Sequence, residues 1–99
     1  MGGEPLCEEN SFLTYLIIEE VKKFYPELPI YIWTGYTYEE LIQRNDNRIN
    51  QILNKINYLI DGPFKLALRD TTLKMRGSSN QRIINLTETK KNGILIIEE

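Results

Sequence analysis

Apolar side chains recur at Phe12, Leu13, Leu16, Ile17, Val21 and Phe24, the spacing of an amphipathic helix with one face on a core. Asn10 or Ser11 can cap its start, and Pro26, which cannot continue a helix, ends it. The pattern then changes to Ile30-Tyr31-Ile32-Trp33, a short β-branched and aromatic run punctuated by Thr34-Gly35, which predicts a buried strand. Thr37 and Glu40 have the Thr-x-x-Glu spacing of a capping box, opening a short helix through Leu41 and Ile42 that Asn45-Asp46-Asn47 interrupts. A second helical piece carries Ile49, Ile52, Leu53 and Ile56 on one face and leads into a strand at Tyr58-Leu59-Ile60, stopped by Asp61-Gly62-Pro63. Beyond it, Lys65 to Met75 reads as an irregular connection with one helical turn, and Arg82-Ile83-Ile84-Asn85-Leu86 as a third strand. Asn92-Gly93 reads as a turn into a last strand, Ile94-Leu95-Ile96-Ile97.

The glycine-containing stops fall at Gly2-Gly3, Gly35 and Gly62, separated by about one βα unit of ~30 residues. This rhythm predicts an α/β fold with a mainly parallel sheet. Right-handed crossovers would bring successive strand ends to one edge, where open α/β sheets and barrels bind ligands. Gly2 to Glu4, Thr34 to Tyr36 and Asp61 to Phe64 would then line one mouth.

Ninety-nine residues make one domain, 1–99, with no low-complexity linker. A net charge of −2 gives no basic field to attract nucleic acid or an anionic membrane. The apolar runs are far shorter than the ~20 residues of a membrane span, and the N-terminus lacks a signal peptide's pattern, so a cytoplasmic protein is expected. Cys7 is the one cysteine and histidine is absent. That composition rules out an internal disulfide, a thiolate–imidazole zinc site and the Ser-His and Cys-His catalytic schemes.

Four polar segments punctuate the apolar pattern. Gly2-Gly3-Glu4-Pro5-Leu6 could let a backbone approach a ligand while a carboxylate meets a cationic group, or it could be a plain turn. Trp33-Thr34-Gly35-Tyr36 fits a strand end with an aromatic pair covering the core, and Ile60-Asp61-Gly62-Pro63-Phe64 fits a strand and β-turn. Arg76-Gly77-Ser78-Ser79-Asn80-Gln81-Arg82 gathers hydrogen-bonding groups ahead of an apolar strand. It could form a nest of N–H groups for an anion with Arg76 or Arg82 beside it, or a solvated loop.

In their order and spacing, GGEPL, WTGY, IDGPF and RGSSNQR resemble the activating component of anaerobic (class III) ribonucleotide reductase, a radical S-adenosylmethionine family. The resemblance runs from Gly2 to about Leu86. It implies a partial radical-SAM fold, an incomplete TIM-like βα barrel, and reductive cleavage of S-adenosylmethionine at a 4Fe-4S cluster to leave a glycyl radical on the reductase. The implied partners are the reductase catalytic subunit and a reduced flavodoxin-type electron donor. By the same resemblance Gly2, Gly3 and Glu4 meet the amino group of S-adenosylmethionine. Thr34, Gly35, Asp61, Gly62, Ser79, Asn80 and Gln81 would surround the rest of the cofactor or the partner's glycine loop.

The family holds its cluster through a C-x3-C-x2-C motif ahead of the Gly-Gly-Glu segment, so the resemblance implies a truncated, C-terminal portion without cluster ligands. Cys7 follows the glycine loop and is read as structural, since one thiolate cannot anchor a cluster that takes three. The chain is therefore expected to be inactive alone. The uncovered Ile30 to Trp33 edge is expected to invite homo-oligomerisation. Two alternatives stand beside this reading: a non-catalytic module that binds the reductase, and the activase of another glycyl-radical enzyme.

Overall fold

The computed structural model describes residues 3–98. Helix α1 spans Ser11–Phe24, strand β1 Tyr31–Trp33, helices α2 and α3 Tyr38–Arg44 and Asn47–Lys55, and strand β2 Tyr58–Asp61. A 3-10 turn at Leu66–Leu68 interrupts the long connection to β3, Arg82–Asn85. Helix α4, Leu86–Asn92, and strand β4, Ile97–Glu98, complete the order. No helix among the described residues is long and apolar enough to cross a membrane.

The local signals that set the middle of the chain act as expected. Thr37 Oγ1 accepts from Glu40 N at 3.1 Å while Glu40 Oε1 accepts from Thr37 N at 2.7 Å, a closed capping box. Asn45 takes the left-handed conformation that ends α2, and Asp46 caps α3 through Arg48 N and Ile49 N. The α3 stripe Ile49, Ile52, Leu53 and Ile56 is buried and forms one core with Leu41, Leu59, Ile84 and Leu86. Asn85 caps α4 by accepting from Glu88 N, turning Leu86 from an expected strand residue into the first residue of a helix. The Asn-x-x-Glu spacing was the available signal for that helix. Strand β4 is accordingly shorter than the Ile94–Ile97 run.

The sheet runs β1-β2-β3-β4. Only β1 and β2 are parallel, with Ile32 beside Leu59, and β3 and β4 are antiparallel to their neighbours, so the mainly parallel sheet expected from the glycine rhythm is corrected to a mainly antiparallel one. The physical reason lies in the connections. Helices α2 and α3 carry the chain back to the starting edge between β1 and β2, whereas the β2–β3 segment holds one 3-10 turn and re-enters the sheet from the edge it left.

Helix α1 departs from its expected role. Its buried residues are Ser11 and Ile18, while Phe12, Leu13, Leu16, Ile17 and Phe24 face solvent, Phe12 being 53% exposed. The helix packs chiefly on α3, where Lys55 Nζ lies 2.9 Å from Glu19, and β1 forms the edge of the described sheet. No described strand lies beneath the apolar stripe.

One ion network, centred on the buried Asp61, ties α2 to the sheet. Asp61, 1% exposed, accepts from Arg82 Nε at 3.0 Å and from Tyr38 N at 2.7 Å, and the same guanidinium forms paired bonds to Glu39. Arg82 holds the Glu39 carboxyl below the ordinary carboxylate range, and the two acids raise Arg82 further.

Two outcomes follow from this packing. Ile52→Ala removes a fully buried side chain and lowers stability by about 3 kcal/mol, whereas Leu13→Ala on the open stripe changes it by less than about 0.5 kcal/mol; urea denaturation reads the contrast. Because Glu39 is depressed in the folded state, its stabilisation is present above its ordinary value of 4.5 and is lost as pH falls through the lowered one. The melting temperature of Glu39→Gln should therefore decline less steeply on acidification than that of the parent.

Candidate functional site

Glu4 organises the rim. Its Oε1 accepts from Gly35 N at 2.7 Å, and its Oε2 accepts from Thr34 Oγ1 at 2.6 Å and from Leu6 N at 3.1 Å. Thr34 and Gly35 follow directly on β1, so this carboxylate fastens the N-terminal loop to the carboxyl end of that strand. The loop is held again where Asn10 Nδ2 donates to Glu4 O at 2.9 Å, which leaves the helix start without the side-chain cap expected of Asn10. A side chain on either side of the latch would crowd it. A Cβ on Gly35 would lie 3.3 Å from Glu4 Oε1, and one on Gly3 would lie 3.1 Å from Asn10 Nδ2. Gly2 lies outside the described residues.

The third and fourth motifs join the same rim through amides. Gly62 has φ of +101°, a conformation that side chains resist, and its N–H donates to Tyr36 O at 2.8 Å. Gln81 Nε2 donates to Gly62 O at 3.0 Å, while Gln81 Oε1 accepts from Gly77 N at 2.8 Å and Ser78 N at 3.2 Å. Asn80 Nδ2 donates to Pro63 O at 2.8 Å, and Asn80 Oδ1 accepts from the buried Ser78 Oγ at 2.7 Å. Gly3, Glu4, Thr34, Gly35, Gly62 and Gln81 thereby border one open depression of about 380 Å³, walled by Trp33 and Phe64.

Other expected site residues have different surroundings. Asp61 is directed into the Arg82 and Tyr38 contacts described above. Ser79 is exposed, with its N–H donating to Leu68 O, and Asn80 braces the Pro63 turn. The anion-nest reading of the fourth motif is also revised. The N–H groups of Gly77 and Ser78 are taken by Gln81, Arg82 is held by two carboxylates, and Arg76 Nη1 donates to Gln81 O at 3.1 Å. Trp33, read from the sequence as core cover, and Phe64, read as part of a β-turn, stand about half exposed at 49% and 54%. Their signal was adjacency: each lies within two residues of a glycine that borders the rim.

The residues present do not fit an iron–sulfur cluster. Cys7 is the chain's one thiol, and no group of three or more histidine, cysteine, aspartate or glutamate side chains able to hold a metal occurs among the described residues.

Residues 1–84 match the family model of the 4Fe-4S single cluster domain. A protein of Pasteurella multocida, named anaerobic ribonucleoside-triphosphate reductase-activating protein, is 39% identical over 87 residues, 88% of this chain and 54% of that protein. Proteins with the same name from Escherichia coli K12 and Enterobacteria phage T4 are 36% and 33% identical. They match 86% and 88% of this chain, and 53% and 51% of their own lengths. The chain thus spans about half the length of the curated relatives it matches. No solved structure matches it significantly. With most of its length in the family model, and relatives 33% to 39% identical over more than four-fifths of it, the chain belongs to the 4Fe-4S single cluster domain family, as a relative of the anaerobic ribonucleoside-triphosphate reductase-activating proteins.

Proposed function

We propose that this chain serves an activating protein of anaerobic ribonucleotide reductase and contributes the surface that receives S-adenosylmethionine. The observation carrying this reading is the meeting of Glu4, Thr34-Gly35, Gly62 and Gln81, four separated segments, at one depression beyond the carboxyl ends of the parallel pair β1 and β2. That is where ligands bind in α/β sheets. The common name of the relatives supports the same partner.

In this reading Glu4 accepts from the cationic amino group of the cofactor. Its Oε2 already takes two donors and its Oε1 takes one, so Oε1 keeps a lone pair beside Gly35, where no side chain obstructs approach. Gly3 would give similar access at the loop, with Gly2 preceding it, and Gly62 and Gln81 would close the far side. Asp61, Ser79 and Asn80 would support that side or the reductase's glycine loop from behind. For the whole protein we propose radical S-adenosylmethionine chemistry that leaves a glycyl radical on the reductase, a reduced flavodoxin-type electron donor and a cytoplasmic setting. The unit β1-α2-α3-β2 is the piece that a partial radical-SAM barrel would repeat, within a single domain. This chain's residues bind and orient, and no electron-transfer step is assigned to them.

The single cysteine favours a second reading, a reductase-binding module without catalysis. The open β1 edge and the apolar stripe of α1 would then meet the reductase or a second copy.

Anaerobic calorimetry tests the first reading. S-adenosylmethionine should bind the parent chain, and Glu4→Gln should weaken it about tenfold, since a charged acceptor is lost. Thr34→Val, which keeps the carboxylate, should weaken it less. Unchanged affinity in Glu4→Gln would remove Glu4 from the site. Iron and sulfide reconstitution of the chain alone should leave it colourless, as one thiol cannot seat a cluster. A colourless chain that co-elutes with the reductase catalytic subunit and binds no S-adenosylmethionine would establish the second reading.

A further inference from the structure

We infer that Trp33 and Phe64, beside the Glu4 carboxylate, form a corner that recognises an organic cation; on the reading proposed above, in which Glu4 meets the amino group of S-adenosylmethionine, the cation that the two rings take is its sulfonium. Three observations converge on this assignment. First, Glu4 is a partly buried carboxylate whose partners among the described residues are neutral donors: Gly35 N, Thr34 Oγ1 and Leu6 N. The described ion pairs use Glu19, Glu39, Asp61 and Glu88 instead, and among the described residues no basic side chain lines the depression. Among the described residues its charge is thus left uncompensated beside a space of about 380 Å³.

Second, the two walls of that space are aromatic, half exposed and held in place. The indole of Trp33 donates its Nε1–H to Met75 O at 2.7 Å. The ring of Phe64 lies against Gly77, where an added Cβ would come within 3.0 Å of Phe64 Cδ1. Third, the loop that supplies this brace is tied down: Gln81 takes the N–H of Gly77 with its oxygen and holds Gly62 with its nitrogen. The polar fourth motif therefore keeps an aromatic ring in position.

Aromatic faces carry negative electrostatic potential and attract cations, with tryptophan the strongest. A positioned but unburied ring loses little freedom when a ligand arrives. Two such rings bordering the same depression as a carboxylate favour a methylated, diffuse cation over its neutral counterpart. Applied to the proposed cofactor, the corner separates the sulfonium from the thioether S-adenosylhomocysteine. The two share every other group, so their affinity ratio isolates the sulfonium charge.

Trp33 is the chain's sole tryptophan, so its fluorescence reports on the corner directly. The full chain is titrated with S-adenosylmethionine, S-adenosylhomocysteine and trimethylsulfonium, by calorimetry and by fluorescence. The sulfonium cofactor should bind about tenfold tighter than the thioether, and trimethylsulfonium should perturb Trp33 emission. Phe64→Leu and Trp33→Leu should each shrink the cofactor-to-thioether ratio about threefold to fivefold. Trp33→Phe, which loses the bond to Met75 but keeps a π face, should preserve most of it. Melting curves confirm that each variant folds, and a purely structural ring would not alter the ratio.

Equal affinity for cofactor and thioether overturns the cation corner while leaving the cofactor-binding reading intact. If neither nucleoside binds, the cofactor reading fails, and trimethylsulfonium decides the corner: a Trp33 response lost in Phe64→Leu upholds it, and no response overturns it.

Discussion

A single carboxylate joins two parts of the chain that are 30 residues apart. Glu4 accepts from the backbone and hydroxyl at the end of β1, and the chain between Glu4 and Thr34, including all of α1, is closed into a loop by those bonds. The hydroxyl of Thr34 is buried, and both of its contacts, to Glu4 and from Tyr36 N, are internal to the latch. Without the acid, a buried hydroxyl and the Gly35 N–H would lose their acceptor, which costs more than the net value of a hydrogen bond. The group that shapes the rim is also the acid that lines the depression.

The opposite side of the depression is built with neutral groups. Gln81 and Asn80 replace the backbone ladder that a regular connection would supply, binding Gly77, Ser78, Gly62 and Pro63. Arg82, immediately next along the chain, is engaged on another side of β3 by Asp61 and Glu39. Polar residues adjacent in sequence therefore serve two tasks, bracing the rim and clamping α2 to the sheet. The division keeps the Arg82 ion network away from the depression, and it leaves Glu4 as the acid that borders it.

Two surfaces have no cover among the described residues: the free side of β1 and the apolar stripe of α1. They arise from one cause. Helix α1 packs chiefly on α3, so its less apolar side finds the core and its more apolar side does not, while β1 ends the described sheet. A helix with an exposed apolar stripe beside an unpaired strand edge is a surface prepared for more polypeptide.

The sequence alone determined the elements whose signals are local. The Thr37–Glu40 capping box, the helix break at Asn45-Asp46-Asn47, the α3 stripe and the β2 stop at Gly62 require only neighbouring residues, and each is found in the fold. The order of the four motifs likewise identified the family. Strand direction and side-chain partners depended on tertiary structure. The glycine rhythm cannot reveal that the β2–β3 connection lacks a crossover helix, and an amphipathic period cannot tell which side of α1 will meet a neighbour. Nor could composition separate Asp61, spent in an ion network, from Glu4, left facing a depression; both are acids beside glycine-containing turns. Only the folded chain, by bringing Arg82 to one and Trp33 and Phe64 to the other, gave the two carboxylates different chemistry.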